Sequence, residues 1–353
     1  MKAIRAGVVI PSRNEGDWLR RTAESVRDTV PPSWDIWHVD DASERPEPDL
    51  SDLNVRECPQ PRRIGAARAR AVGIYNALQD PSVQGAVTCD SHMLFGAGEA
   101  LGALIEENQR FVTHKALPKD YTPPMWEAQV HVAEDKLLRL MQVAVEHDCF
   151  AYLSPCRQGP ATLNVENGLY RARYTLARGP MPAELPTAAF NGGCYAGSRN
   201  AWESIGGYPQ LPGHFGFEEE ILSLLAAAHQ IPIVCLTQIS PWHLFRSQGT
   251  DPIPCPYSTS EDRELDNLAA VYRLAFPEDM WQLRWRNTLA KNILPGRVRP
   301  VPEYILREVE KPEFTAYRNM VQEGFALRGD ALIAELDAKR AADHAFLEAR
   351  AKG

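Results

Sequence analysis

Over the first hundred residues, apolar β-prone runs alternate with segments of helical periodicity, and this alternation narrows the folds open to the chain. Ala6 to Pro11 is a strand-like run followed by the polar Ser12-Arg13-Asn14-Glu15-Gly16. Trp18, Leu19, Thr22, Ala23 and Val26 then recur at helical spacing. A Pro31-Pro32 break precedes a second strand, Trp34 to Val39, which ends in Asp40-Asp41-Ala42-Ser43. Arg63 to Leu78 is Ala-rich and helical, and Gly85 to Cys89 reads as the next strand. This order predicts an α/β domain with a Rossmann-like, mostly parallel sheet and helices on both faces. Ligands of such sheets gather at the carboxyl ends of the strands, where the polar segments just named fall.

The third of those segments carries the sharpest chemistry. Cys89-Asp90-Ser91-His92 sets a carboxylate and an imidazole two residues apart after an apolar run, so both can face one side. Trp242-His243-Leu244-Phe245-Arg246 closes another apolar run and supplies a candidate third ligand, His243. One carboxylate and two imidazoles suit a divalent ion such as manganese, whose open positions can take a diphosphate. The bland alternative is that each histidine is an ordinary hydrogen-bonded residue.

Other segments carry two readings each. Asp40-Asp41-Ala42-Ser43 is either a helix cap or Asx-turn, or a contact for a nucleotide's base or ribose. Arg68 and Arg70, near the start of a helix, are either a solvated basic face or a guanidinium facing a nucleotide's diphosphate. Gly192-Gly193 is either a plain loop or a place where backbone approaches a sugar. Glu218-Glu219-Glu220 is either a helix N-terminus enriched in acids or a source of a sugar contact or proton acceptor.

Beyond residue 110 the pattern loosens. His114 to Trp126 is Pro-rich and loop-like, and Val132 to His147 reads as a helix. Residues 154 to 189 read as a long excursion rich in Pro and Gly. Glu218 to Ala228 is a short helix, Ile231 to Leu236 a strand, and the chain from Glu261 onward mainly helical. We expect a mainly helical extension over 251–353 after the α/β part of residues 1–250.

A net charge of −8 argues against general attraction to nucleic acid. A span with Trp281, Arg284, Trp285, Arg286, Lys291, Arg297 and Arg299 nevertheless mixes aromatics with cations, as single-strand binders do. Seven cysteines without a C-x-x-C pair fit reduced thiols and a cytoplasmic setting. No apolar run approaches the ~20 residues that span a bilayer, and the chain runs straight into its first strand. A membrane anchor and a signal peptide are therefore not expected.

Several of these pieces together resemble a known family. Val39-Asp40-Asp41-Ala42-Ser43-Glu44-Arg45 is similar to the V-D-D-A-S-E-R stretch of the polypeptide N-acetylgalactosaminyltransferases, within the glycosyltransferase-A superfamily that includes the family-2 group. In order along the chain, Arg13-Asn14-Glu15 followed by a helix with Leu19, Arg21-Thr22 and Ser25-Val26 resembles the family's first motif. Gly65 to Gly73 resembles its G-x-x-R-x-R-x-x-G, and Asp90-Ser91-His92 its metal-binding D-S-H. Pro186-Thr187 with Gly192-Gly193 resembles its donor-sugar loop, Ile205-Gly206-Gly207-Tyr208 through Phe215-Gly216-Phe217-Glu218 its segment ending in W-G-G-E-N, and His243-Leu244-Phe245-Arg246 its H-V-F-R.

The resemblance implies a glycosyltransferase-A fold, a nucleotide-sugar-binding catalytic domain over residues 1–250, and transfer of a sugar from a UDP-sugar. Asp90, His92 and His243 would be ligands of Mn2+ or Mg2+. Pro11, Arg13, Asn14, Glu15, Asp40, Asp41, Arg68, Arg70, Ser91 and Arg246 would line the nucleotide side, and Gly192 and Gly193 the sugar side. Glu218 and Glu219 would be the catalytic acids. Phe215, Phe217 and Glu219 depart from the family pattern, so donor sugar and stereochemistry stay open. The acceptor stays open among a peptide, a glycan and a modified DNA base. A sugar nucleotidyltransferase and a non-catalytic nucleotide-sugar binder are the rivals. The first would want a Gly-rich loop after the first strand, which Pro11 to Glu15 lacks, and the second a broken metal site.

Overall fold

A computed structural model gives the fold. It describes residues 4–95, 135–153, 158–166, 169–176, 182–187, 189–190, 193–209, 211, 215–237, 239, 241–243, 267–268 and 271. The chain divides into two compact units, residues 1–163 with 172–268, and residues 164–171 with 269–353. Of the expected helical extension, only 267, 268 and 271 are described, and all three are helical. The basic and aromatic span from Trp281 to Arg299 lies outside the described residues.

Along the chain, β1 (Ala6–Ser12), α1 (Asp17–Thr29), β2 (Asp35–Asp40), β3 (Val55–Glu57), α2 (Ala66–Ala77) and β4 (Gly85–Cys89) realise the expected alternation. There follow β5 (Met93–Leu94), α3 (Lys136–Glu146), β6 (Phe150–Leu153), β7 (Gln158–Glu166), β8 (Leu169–Leu176) and β9 (Glu184–Thr187). The remaining elements are β10 (Cys194–Ser198), α4 (Arg199–Ser204), α5 (Glu218–Ala228), β11 (Ile233–Leu236) and β12 (Trp242–His243). The main sheet has eight strands in the order β3-β2-β1-β4-β10-β6-β11-β9. β1 pairs in parallel with β2 and β4, β2 with β3, and β6 with β11, whereas β10 and β9 run the other way.

Alternation along β1 explains the helices on both faces. Ala6, Val8 and Ile10 join one core with Leu19, Ala23 and Val26 of α1 and Leu137, Leu140 and Met141 of α3. Each fully buried Leu or Val in that layer contributes about 1.5–3 kcal/mol. Gly7 and Val9 point the opposite way, onto α2. A Cβ on Gly7 would lie 2.5 Å from Ala77 Cβ, and one on Gly73 would lie 2.2 Å from Val9 Cγ1. Glycine at these two places lets α2 lie directly on the sheet.

One expectation is corrected. Residues 154–189 are not one long excursion, because β7 and β8 form a two-stranded sheet and β9 joins the main sheet beside β11. Pro186 and Thr187 therefore sit in an edge strand, where a proline's missing N–H is tolerated. Among the described residues no helix is long and apolar enough to cross a membrane. Cys58, Cys89, Cys149, Cys194 and Cys235 are free thiols.

Candidate metal and nucleotide site

Because β1, β2 and β4 are parallel neighbours, the segments after them (12–16, 40–43 and 90–92) share one edge of the sheet. β10 is antiparallel, so its amino end reaches the same edge, and the Asp90 N–H donates to the Gly193 carbonyl at 2.8 Å.

The first two segments interlock. The Asn14 N–H donates to Ser43 Oγ at 2.8 Å, while Asn14 Oδ1 accepts the N–H groups of Glu44 at 2.8 Å and Arg45 at 3.3 Å. Arg13 donates to the carbonyls of Asp41 and Ala42 and to the Glu44 carboxylate at 2.7 Å. Asp40 Oδ1 accepts the Ser43 N–H, three residues on, at 2.9 Å, a local side-chain-to-backbone bond of the capping kind. Pro11 lies buried within β1 opposite Val39.

Glu47 joins these loops and was not among the expected site residues. Its carboxylate accepts from Ser12 Oγ (3.2 Å), Glu15 N–H (3.0 Å), Gly16 N–H (2.9 Å) and Ser43 Oγ (2.8 Å). The one trace in the sequence is its place between Pro46 and Pro48, which restrict the backbone around it. Ser12 Oγ also meets His38 Nε2 at 2.7 Å, and His38 Nδ1 meets Glu57 at 2.5 Å.

Asp41 is buried and accepts the N–H groups of Ile64 (2.5 Å) and Gly65 (3.0 Å), at the entry to α2. Burial lifts its carboxyl above the ordinary range, opposed by those two N–H groups and by Arg13 and Arg63. Arg68 and Arg70 do not act together. Two residues apart on a helix they are rotated about 200° from each other. Arg68 Nε donates to the Leu211 carbonyl at 3.0 Å, while Arg70 turns inward and bridges Asp90 and Glu218.

That bridge sets the charge of the site. Burial opposes ionisation of Asp90, but Arg70, His243 and His92 outweigh it and hold the carboxyl well below the usual range. Glu218 goes the other way. Its burial, with Glu219 and Asp90 nearby, pushes it up to about 7 against the pull of Arg70. Burial also raises Glu219. Tyr195 and Tyr208, hydrogen-bonded to each other, complete the buried surroundings of Arg70. The turn into α5 places Gly216 at φ +88° and Phe217 at φ +61°, a left-handed conformation that non-glycine residues seldom adopt. Asn267 Nδ2 donates to the carbonyls of Phe215 (3.1 Å) and Gly216 (2.7 Å) across that turn.

The three expected metal ligands come together. β5 pairs antiparallel with β12, His243 opposite Met93, which delivers His243 to the side of His92. One donor atom each from Asp90, His92 and His243 lies within 4.8 Å of the others. His243 Nε2 is 3.2 Å from Asp90 Oδ2, and the two imidazole rings are 5.0 Å apart. A carboxylate oxygen and two imidazole nitrogens fit a divalent first-row ion. Gly193 (φ +97°) completes the wall, since a Cβ there would lie 3.5 Å from Asp90 Oδ2. Ser91 is buried beside it. Gly192 and Arg246 lie outside the described residues.

Comparisons with known proteins agree with this architecture. Residues 7–113 match the model of Glycosyl transferase family 2. Among solved structures, GalNAc-T7 with UDP, GalNAc and Mn2+ is similar at 15% identity and a TM-score of 0.57, over 93% of this chain and 58% of that one. This chain thus spans under two thirds of that protein's length. TarS 1–349 of S. aureus in complex with UDP-GlcNAc matches at 13% identity and a TM-score of 0.40, over 92% of each chain. No curated protein matches the sequence. The chain thus shares the fold of the GalNAc-T7 structure, and its first third is similar to Glycosyl transferase family 2.

Proposed function

We propose that this protein is a metal-dependent glycosyltransferase that moves a sugar from a UDP-sugar to an acceptor. The observation that carries the reading is the convergence of Asp90, His92 and His243 on the sheet edge that also holds the interlocked loops around Asp41. The structure of GalNAc-T7 with UDP, GalNAc and Mn2+ supports it by analogy of fold.

In this reading Asp90, His92 and His243 hold Mn2+ or Mg2+, and the bound ion neutralises charge on the departing diphosphate. Asp41, with Asp40 beside it, receives the uridine between the Arg13 to Glu15 loop and the entry to α2. Gly193 lets the backbone approach the diphosphate and sugar without a side chain in the way. Glu218 and Glu219 face the sugar from the start of α5, and Arg70 keeps Glu218 in register with Asp90. The acceptor is a peptide, a glycan or a modified DNA base. The catalytic machinery occupies residues 1–250.

The test needs no acceptor. UDP release from a panel of UDP-sugars is followed with and without Mn2+, because glycosyltransferases commonly hydrolyse their donor slowly. Mn2+-dependent release from one donor is the expected result and names the sugar. Absence of release, together with no thermal stabilisation by UDP and Mn2+, refutes the reading.

A further inference from the structure

The two imidazoles of the proposed metal site are held differently. His243 meets Asp90 through Nε2. His92 turns its Nδ1 inward, where it is buried and makes no hydrogen bond among the described residues. The nearest carboxylate to that nitrogen among the described residues is Glu15, with Oε1 3.6 Å away and a side chain only 1% exposed. Glu15 does not approach by chance. It follows the turn at Asn14 (φ +55°), and the Glu47 carboxylate holds its N–H and that of Gly16.

Resting on the metal reading above, we propose that Glu15 is the positioning residue of the metal site, an outer carboxylate that orients His92 rather than a contact to the nucleotide. A neutral imidazole that gives Nε2 to a metal carries its proton on Nδ1. Among the described residues, a buried acceptor within reach of that N–H is the Glu15 carboxylate. At 3.6 Å the contact is longer than a hydrogen bond, so metal uptake by the ring would have to shorten it. Glu15 thereby selects the tautomer, fixes the ring plane and raises the basicity of Nε2. Glu47 sets the backbone from which Glu15 reaches, so the loop after β2 is coupled to the metal through one hydrogen bond and one carboxylate.

The test is Mn2+ titration of the whole chain without nucleotide, by calorimetry or by the spectroscopic signal of free Mn2+, for wild type, Glu15→Gln, Glu15→Ala and His92→Ala. Loss of an outer-shell partner weakens metal binding about 10–100-fold. Glu15→Ala is expected to show that loss. Glu15→Gln, which keeps an acceptor oxygen, should fall between Glu15→Ala and wild type, with a metal-free Tm close to wild type. Nitrogen NMR of the ring with diamagnetic Zn2+ should show His92 coordinated through Nε2 and protonated on Nδ1. Wild-type Mn2+ affinity in both Glu15 variants, alongside a loss in His92→Ala, overturns the role of Glu15 while leaving the metal site standing. Coordination through Nδ1 overturns it as well. A wild type that takes up no Mn2+ refutes the metal reading itself and this inference with it.

Discussion

Replacing Arg70 by Met isolates the buried bridge between the metal edge and α5. The guanidinium donates one way to Asp90 and the other way to Glu218, with side-chain exposures of 7% for Arg70, 20% for Asp90 and 6% for Glu218. Deleting one partner of a buried ion pair costs about 3–5 kcal/mol, because the charge left behind stays out of water. Asp90 can regain some water and Met replaces part of the Arg stem, so the loss should lie near the lower bound, about 3 kcal/mol. Against a total of ~5–15 kcal/mol for a folded domain, that is readily measured. Urea unfolding at pH 7 should show a lower midpoint with an unchanged slope. Adding Glu218→Gln to Arg70→Met should recover part of the loss, since the amide is neutral without the proton that Glu218, raised to about 7 even with Arg70 present, must take up when Arg70 is gone. The acid limb should change too. Asp90 is held low in the folded state, so its contribution is present above its unfolded value of about 3.9 and is lost as pH falls. Without Arg70 that depression shrinks, and stability should fall less steeply below pH 4. A variant within about 0.5 kcal/mol of wild type at pH 7 would refute this account of the bridge, since that is the spread of surface substitutions remote from any such feature.

His243→Ala should abolish the rise in Tm that Mn2+ gives the wild type while leaving the metal-free Tm nearly unchanged. It is a cleaner probe than Asp90→Ala, which also strips Arg70 of a partner. An undiminished Mn2+ shift in His243→Ala would remove it from the ligand set. Glu218 is raised, so it stabilises the fold below its unfolded value of about 4.3 and loses that contribution as pH climbs through about 7. Glu218→Gln should therefore flatten the dependence of stability on pH in that window, as unfolding series between pH 4 and 8 would reveal. Gly85→Ala puts a Cβ 2.4 Å from both the Gly197 carbonyl oxygen and Met141 Cε. The β4–β10 pairing must shift, at a cost of about 1–3 kcal/mol in chemical denaturation.

What the sequence displays is what local periodicity can encode. The parity of β1, with Val8 and Ile10 on one side and Gly7 and Val9 on the other, and the 3.6-residue recurrence of Leu19, Ala23 and Val26 are properties of neighbouring residues, so β1, α1, β2, α2 and β4 could be read directly. Asp90 and His92 were legible for the same reason. His243 stood out only as a candidate closing another apolar run, and its meeting with His92 was not legible, because that depends on β5 and β12 pairing across a separation of some 150 residues. β7 and β8 escaped because Gln158-Gly159-Pro160 breaks the alternation that marks a strand, and only pairing between the two makes them one. Arg68 and Arg70 show how a motif can mislead even when its residues matter. As letters they look like a pair, yet helical geometry sends the first to a backbone carbonyl and the second into the core between two carboxylates. Glu47 is the opposite case, a residue with no periodic signal whose four acceptor contacts tie the loops after β1 and β2. Satisfying buried N–H groups is a demand of the folded edge, not of any sequence window, and so the residue that meets it is visible only once the strands are side by side.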